Sequence, residues 1–174
     1  MEIEDYNLNI TKELFSYILS SYPFLKNKKR VGKDNFIGYN HKIENKEDLE
    51  TITIIKAKDL FYEDVKSIEN YTLIKSIKNK IDPLLYEVLV HFCFDYGKSV
   101  LKNSKFYFYI KNNNKTKVIE ELEKYKTYNN TLSKNNISKR NFDINLLNNG
   151  TYANKEINNG NKKRSSSKNV GFRF

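Results

Sequence analysis

The run Tyr86-Glu87-Val88-Leu89-Val90-His91-Phe92-Cys93-Phe94-Asp95-Tyr96-Gly97 is apolar nearly all the way round a helical wheel. A helix of that kind is buried on every side, so this one belongs at the centre of a helical domain. Asp82-Pro83 supplies its start, with the acid as cap and the proline in the first turn, where a missing N–H costs nothing. The expected helix runs from Leu84 to Tyr96, with Gly97 as its natural C-cap.

Upstream, Thr53 is a good N-cap for a helix from Ile54 to about Tyr71. Its Ala57, Leu60, Phe61, Val65 and Ile68 form one apolar stripe. A first helix, with Thr11 as cap, carries Leu14, Phe15, Ile18 and Leu19 and stops before Pro23. Between these two helices lies a basic, turn-rich segment in which Phe36-Ile37-Gly38-Tyr39 reads as a short strand. Downstream, helices are expected over Ser104–Lys111, Lys117–Lys126 and Ser138–Leu147, the last stopped by Asn148-Asn149-Gly150. The fold class is therefore mainly α (α+β): a small strand-bearing lobe and a helical lobe, joined by a long helix over a cleft. Residues 1–152 form the domain. Residues 153–174, rich in Asn, Gly, Ser and Lys, bury too little apolar surface to offset the entropy of ordering and are expected to be a basic disordered tail.

The formal charge is +10 and 39% of residues are hydrophobic, enough for a core. Lys155, Lys162, Lys163, Arg164, Lys168 and Arg173 against Glu156 put half of that excess in the tail, and Lys26, Lys28, Lys29, Arg30 and Lys33 crowd one short stretch. Both suit a polyanion or an acidic protein partner, and both also suit a solvated surface. Cys93 is the only cysteine, which excludes an intrachain disulfide; in its apolar run it reads as an inert buried thiol. With His41 and His91 as the only histidines, no metal site is expected, and no cofactor. The acidic start Met1-Glu2-Ile3-Glu4-Asp5 lacks an apolar signal region, and no apolar run reaches membrane-span length. A cytoplasmic monomer is the expectation, with any export left to a helper.

Five segments, in order, resemble the phage-type lysozymes of glycoside hydrolase family 24. Ile37-Gly38-Tyr39-Asn40-His41 is similar to the family's Ile-Gly-x-Gly-His strand motif, and Ile52-Thr53, Ala57, Leu60-Phe61 and Asp64-Val65 to its interlobe helix. Tyr86 to Gly97 resembles the central helix ending in Phe-Asn-x-Gly, and Asn103-Ser104 the segment after it. Lys139-Arg140 and Gly150-Thr151-Tyr152 resemble the basic helix and closing turn. The likeness covers roughly residues 10–152 and implies a muramidase acting on peptidoglycan.

Cleaving a glycosidic bond needs a protonated acid for the leaving oxygen and a second carboxylate for water or for the developing positive charge. By resemblance these are a Glu ending the first helix, an Asp nine residues on and a Thr before the Ile-Gly motif. Counted back from Ile37, those positions hold Ser21, Arg30 and Phe36. None can do the work: a serine hydroxyl is too weak an acid, arginine has the wrong sign, and phenylalanine has no oxygen. The expectation is a degenerate pseudoenzyme that binds a glycan or a protein partner. One alternative is an active divergent endolysin with relocated acids, for which Asp34 and Glu13 are the nearest candidates. A second is a basic nucleic-acid-associated protein. Lys28, Lys29, Arg30 and Tyr39 are the candidate binding residues on the hairpin side, and Lys139 and Arg140 those on the last helix, facing cleft or solvent, where a structural or solvated role is favoured over substrate contact. By resemblance, His41 and Asp64 form a structural pair between the lobes.

Overall fold

The computed structural model describes residues 7–44, 47–128, 131–132 and 134–152. The expectations for the tail beyond Ala153 and for the acidic start at Met1 lie outside these residues. Helix α1 (Lys12–Ser20) leads into a three-stranded antiparallel sheet of β1 (Leu25–Val31), β2 (Asp34–Gly38) and β3 (His41–Lys42), in the order β1-β2-β3. Helix α2 (Ile54–Glu69) then crosses to a helical lobe of α3 (Thr72–Ile77), α4 (Pro83–Lys102), α5 (Lys105–Lys111), α6 (Lys115–Lys124) and α7 (Lys134–Asn149), with a small ribbon of β4 (Thr127–Tyr128) and β5 (Thr131–Leu132) between α6 and α7.

Each main helix has a chemical reason to start where it does. The Thr11 hydroxyl accepts the Leu14 N–H, Thr53 that of Lys56, Ser104 that of Tyr107 and Asn114 that of Lys117. Asp82 accepts from Leu84 and Leu85 ahead of Pro83. Such caps satisfy N–H groups that the helix itself leaves orphaned, typically for ~1 kcal/mol each.

Two cores meet on α2. Ala57 packs with Ile37 and Ile52 beneath the sheet, while Phe61, Val65 and Ile68 face the main core of α1, α4, α5, α6 and α7. Phe61 is fully buried, with ring centroids 4.9 Å from Phe15 and 5.2 Å from Phe94, so the lobes share one aromatic hinge point. Gly38, at φ +63°, lets β2 close on α2: a Cβ there would sit 3.2 Å from both Ala57 Cβ and Ile52 Cδ1. Asn40 (φ 69°) takes the left-handed turn where the resembled motif has glycine, and asparagine is among the residues that tolerate it best.

The expected end of the central helix at Gly97 is present: its φ 83°, ψ 164°, a conformation essentially reserved for glycine, breaks the helix, and a second helical segment follows directly to Lys102. One expectation is corrected. The basic stretch after Pro23 is largely strand, because β1 pairs with β2 and is braced on its outer side by the Lys28 N–H to Glu50 O and Ile52 N–H to Lys26 O bonds, both 2.9 Å. Helix α2 ends at Glu69 with Asn70 as its C-cap, close to the expected end at about Tyr71, and α3, which the sequence did not suggest, follows from Thr72.

Candidate functional site

A cavity of about 530 Å³ opens between the lobes. Its walls come from β3 (His41, Lys42), α2 (Asp64, Ser67) and the redirected end of α4 (Phe94, Gly97, Lys98). On the sheet side His41 is clamped by two carboxylates. Its Nδ1 lies 2.9 Å from Asp64 Oδ2, and its Nε2 lies 3.2 Å from Glu47 Oε2, which also accepts the Glu44 N–H at 2.7 Å. A ring with a carboxylate at each nitrogen is best served by the doubly protonated cation. The bond to Asp64, outweighing burial and assisted by Glu47, accordingly raises the His41 pKa. The expected His41–Asp64 pair is therefore present, with Glu47 as a third member.

The three positions where the resemblance places catalytic groups are not among the residues that line this cavity. Ser21 is the C-cap residue of α1, and its hydroxyl donates to Tyr17 O at 2.8 Å, within its own helix. Arg30 is exposed on β1 and donates its Nε–H to Gly32 O. Phe36 is half-buried in the middle of β2. The fallback acids are not brought together. Asp34, at the tip of the β1–β2 hairpin, is paired with Lys42 at 3.1 Å. Glu13 stands in the first turn of α1, eight residues before Ser21, or roughly 12 Å at helical rise. Tyr39 is packed between Phe24 (5.7 Å) and Phe61 (6.3 Å) rather than held out to a ligand.

Of the roles expected for Lys139 and Arg140, the structure shows the structural one and overturns the solvated one. Neither faces solvent: their exposures are 4% and 0%. Asp95, near the end of the apolar run, draws them inward. Lys139 Nζ reaches Asp95 Oδ1 at 2.9 Å, Arg140 Nη2 reaches Asp95 Oδ2 at 2.6 Å, and Arg140 Nε lies 3.1 Å from Asp143 Oδ2. Asp143 in turn holds His91 Nδ1 at 2.6 Å, and the Tyr22 hydroxyl donates to Asp95. Burial favours the protonated form of Asp95, but the positive charges of His91, Arg140 and Lys139 and the Tyr22 hydroxyl outweigh it and hold the carboxyl down at about 2. This network was absent from the sequence reading. The available signal was Asp95 itself, a carboxylate in a fully buried helix, which demands a buried cation.

Asp95 is thus the carboxylate tied to the residue next to Ser21, and it is locked in the wrong protonation state for an acid. A carboxylate that burial does push upward, Glu87, accepts from the Thr11 backbone N–H (3.0 Å) and the Tyr152 hydroxyl, at the opposite end of α1. Among the described residues no group of three or more His, Cys, Asp or Glu could hold a metal ion, and no helix is long and apolar enough to cross a membrane.

A small sheet lobe and a helical lobe, sharing one helix and flanking a cleft, define a lysozyme-type fold. The chain belongs to the phage lysozyme family, whose model matches residues 25–141. Among solved structures it is similar to the endolysin from Escherichia coli O157:H7 phage FAHEc1, with TM-score 0.67 and 15% identity over 85% of this chain and 98% of that one. It is also similar to the muramidase domain of SpmX from Asticaccaulis excentricus, with TM-score 0.64 and 17% identity over 79% and 96% of the two chains. A third likeness is to the active form of P1 phage endolysin Lyz, with TM-score 0.65 and 10% identity over 83% and 87%. At these identities the structures speak for the fold alone. No curated protein sequence matches the chain.

Proposed function

We propose that this lysozyme-fold protein is catalytically silent and uses its interlobe cleft to hold a glycan strand, peptidoglycan being the natural candidate for the fold. The supporting observation is the residue types at the positions the resemblance points to. Ser21, Arg30 and Phe36 stand there in place of the acid, the base and the water-holding hydroxyl, and Asp95, bonded to Tyr22 beside Ser21, is fixed as an anion between Lys139 and Arg140. A general acid contributes ~10²–10⁴ in rate, and it must carry a proton at working pH to do so. Asp95, held at about 2, carries none near neutrality. Arg30, a cation where the resemblance has a carboxylate, cannot steady a developing oxocarbenium ion.

Sedimentation with purified peptidoglycan tests both halves of the reading. Protein in the pellet with no muropeptides in the supernatant supports it. Muropeptide release that disappears in Asp34→Asn or Glu13→Gln would establish relocated acids instead, and protein that stays in solution would remove the glycan.

A further inference from the structure

The helical lobe has a face on which positive charge is left unbalanced. From Tyr96 to Ile119 the chain has no carboxylate, yet Lys98, Lys102, Lys105, Lys111, Lys115 and Lys117 all fall in that stretch. Lys117 is paired with Glu120, and Lys98 donates to the Ser67 hydroxyl. Lys102, Lys105, Lys111 and Lys115 are exposed and have no ion-pair partner among the described residues. Helix α3 and the turn after it lie alongside. The Tyr107 hydroxyl of α5 donates to Leu73 O at 3.2 Å, and Asn113, just past α5, donates to Lys80 O at 3.1 Å. These contacts add the exposed Lys75 and Lys80 to the same side of the lobe. The preceding acids do not offset them: Glu87 and Asp95 are held inside the lobe, and Asp82 caps α4.

An apolar side chain stands out from the middle of these cations. The buried Phe106 and Ile110 set the inward direction of α5, and at about 100° per residue Phe108 falls opposite them. Phe108 is 62% exposed. Lys105 and Lys111, three positions before and after it, project about 60° to either side. Val100, at the end of α4 that leads into α5, is a second exposed apolar residue. A single exposed phenylalanine is commonplace. One ringed by unpaired lysines, with no acid nearby in the chain, is the combination that an interfacial surface requires.

We propose that this face docks on an anionic bilayer, with Phe108 entering the boundary between headgroups and acyl chains and the surrounding lysines meeting lipid phosphates. Such docking is peripheral and is independent of any glycan in the cleft. Charge complementarity supplies the attraction, and the cation type points to lipid. No arginine stands between Arg30 and Arg140, so the face lacks the planar fork that grips a phosphate bidentately. Lysine is a point charge on a flexible apolar stem, which suits a diffuse headgroup layer. A single-stranded nucleic acid fits less well. It tracks over successive aromatic platforms, whereas Phe108 meets its neighbour Tyr109 edge to face, with ring planes at 71°.

The test uses the full chain and two kinds of vesicle: phosphatidylcholine alone, and phosphatidylcholine with an equal part of phosphatidylglycerol. At low salt the protein should sediment with the anionic vesicles and stay in solution with the neutral ones, and added salt should release it. Lys105→Gln with Lys111→Gln should weaken binding about thirtyfold, or about fivefold for each lysine lost. The chain has no tryptophan, so Phe108→Trp supplies a single reporter. Its emission should shift to the blue, and be quenched by brominated lipid, on anionic vesicles only. Circular dichroism confirms that each variant is folded. Equal binding to both vesicles, or to neither, overturns the proposal, as does an unshifted reporter. Lysine variants that bind as tightly as the native chain also overturn it, because the basic residues beyond Tyr152 would then carry the attraction. An oligothymidylate that binds more tightly than the anionic vesicles, and loses affinity in the same lysine variants, overturns it in favour of nucleic acid.

Discussion

Replacing Arg140 by methionine removes the centre of the buried charge network while keeping most of the side-chain volume. Arg140 is fully buried, bonded to Asp95 at 2.6 Å and 3.1 Å from Asp143, with its guanidinium 5.3 Å from the Tyr96 ring and 5.7 Å from that of Phe92. Without it Asp143, also fully buried, keeps only its bond to His91, and Asp95 keeps Lys139 and Tyr22. Breaking one partner out of a buried pair typically costs about 3–5 kcal/mol, because the remaining charge is left desolvated. The surviving partners place this case at the lower end, about 3 kcal/mol. Against a typical total of 5–15 kcal/mol the variant still folds. At ~1–3 kcal/mol per molar of urea, its unfolding midpoint falls by at least about 1 M. Lys28→Met, which removes the surface pair with Glu50, is the control and should cost no more than about 1 kcal/mol. Arg140→Met combined with Asp143→Asn should cost less than the two single changes added together, by about 1–3 kcal/mol. A loss for Arg140→Met no larger than the control's, or strict additivity in the double variant, would refute the reasoning.

Three further outcomes follow from the same geometry. Asp95 sits at about 2 in the fold against an ordinary 3.8, so its contribution is complete above the ordinary value and is lost as pH falls towards 2. Thermal melting across that window should show a decline of roughly 2 kcal/mol that flattens in Asp95→Asn. His41 has the opposite sign: its pKa is raised, so its contribution is whole below the ordinary 6.5 and disappears as pH rises through the elevated value. Melting temperature should therefore fall on the alkaline side in the native protein and stay level in His41→Asn. Gly38→Ala forces a left-handed alanine into Ala57 and Ile52 at 3.2 Å, and should cost about 2–4 kcal/mol by urea denaturation without altering the helical circular dichroism.

What the sequence disclosed, and what it withheld, follows from the range of the forces involved. Thr53 and Asp82 mark helix starts through bonds to residues two or three positions away, and Pro83 through its fixed φ, so α2 and α4 are legible one residue at a time. The buried surface of α4 follows from its composition. By contrast, β1 reads Lys-Asn-Lys-Lys-Arg through its middle, with no apolar alternation, and becomes a strand only because β2 and residues 50–52 pair with it on either side. The short α3 has Ile74 and Ile77 buried over less than two turns, too brief a pattern to read as a helix. The burial of Lys139 and Arg140 was hidden for the same reason as β1. Their burial depends on a carboxylate 44 and 45 positions earlier, and a basic pair read locally looks like surface. The residue types at Ser21, Arg30 and Phe36 carry the expectation of lost chemistry, and that expectation depends on the count back from Ile37 rather than on any contact.

The central claim is that the cleft performs no glycosidic cleavage, and product analysis of purified peptidoglycan tests it most directly. The folded protein would be incubated at high enzyme ratio over a range of pH, with soluble muropeptides and new reducing ends measured by chromatography and mass spectrometry. The account predicts products at the level of the buffer blank at every pH, with no change in Asp95→Asn. Reducing ends accumulating with time and protein concentration would contradict it.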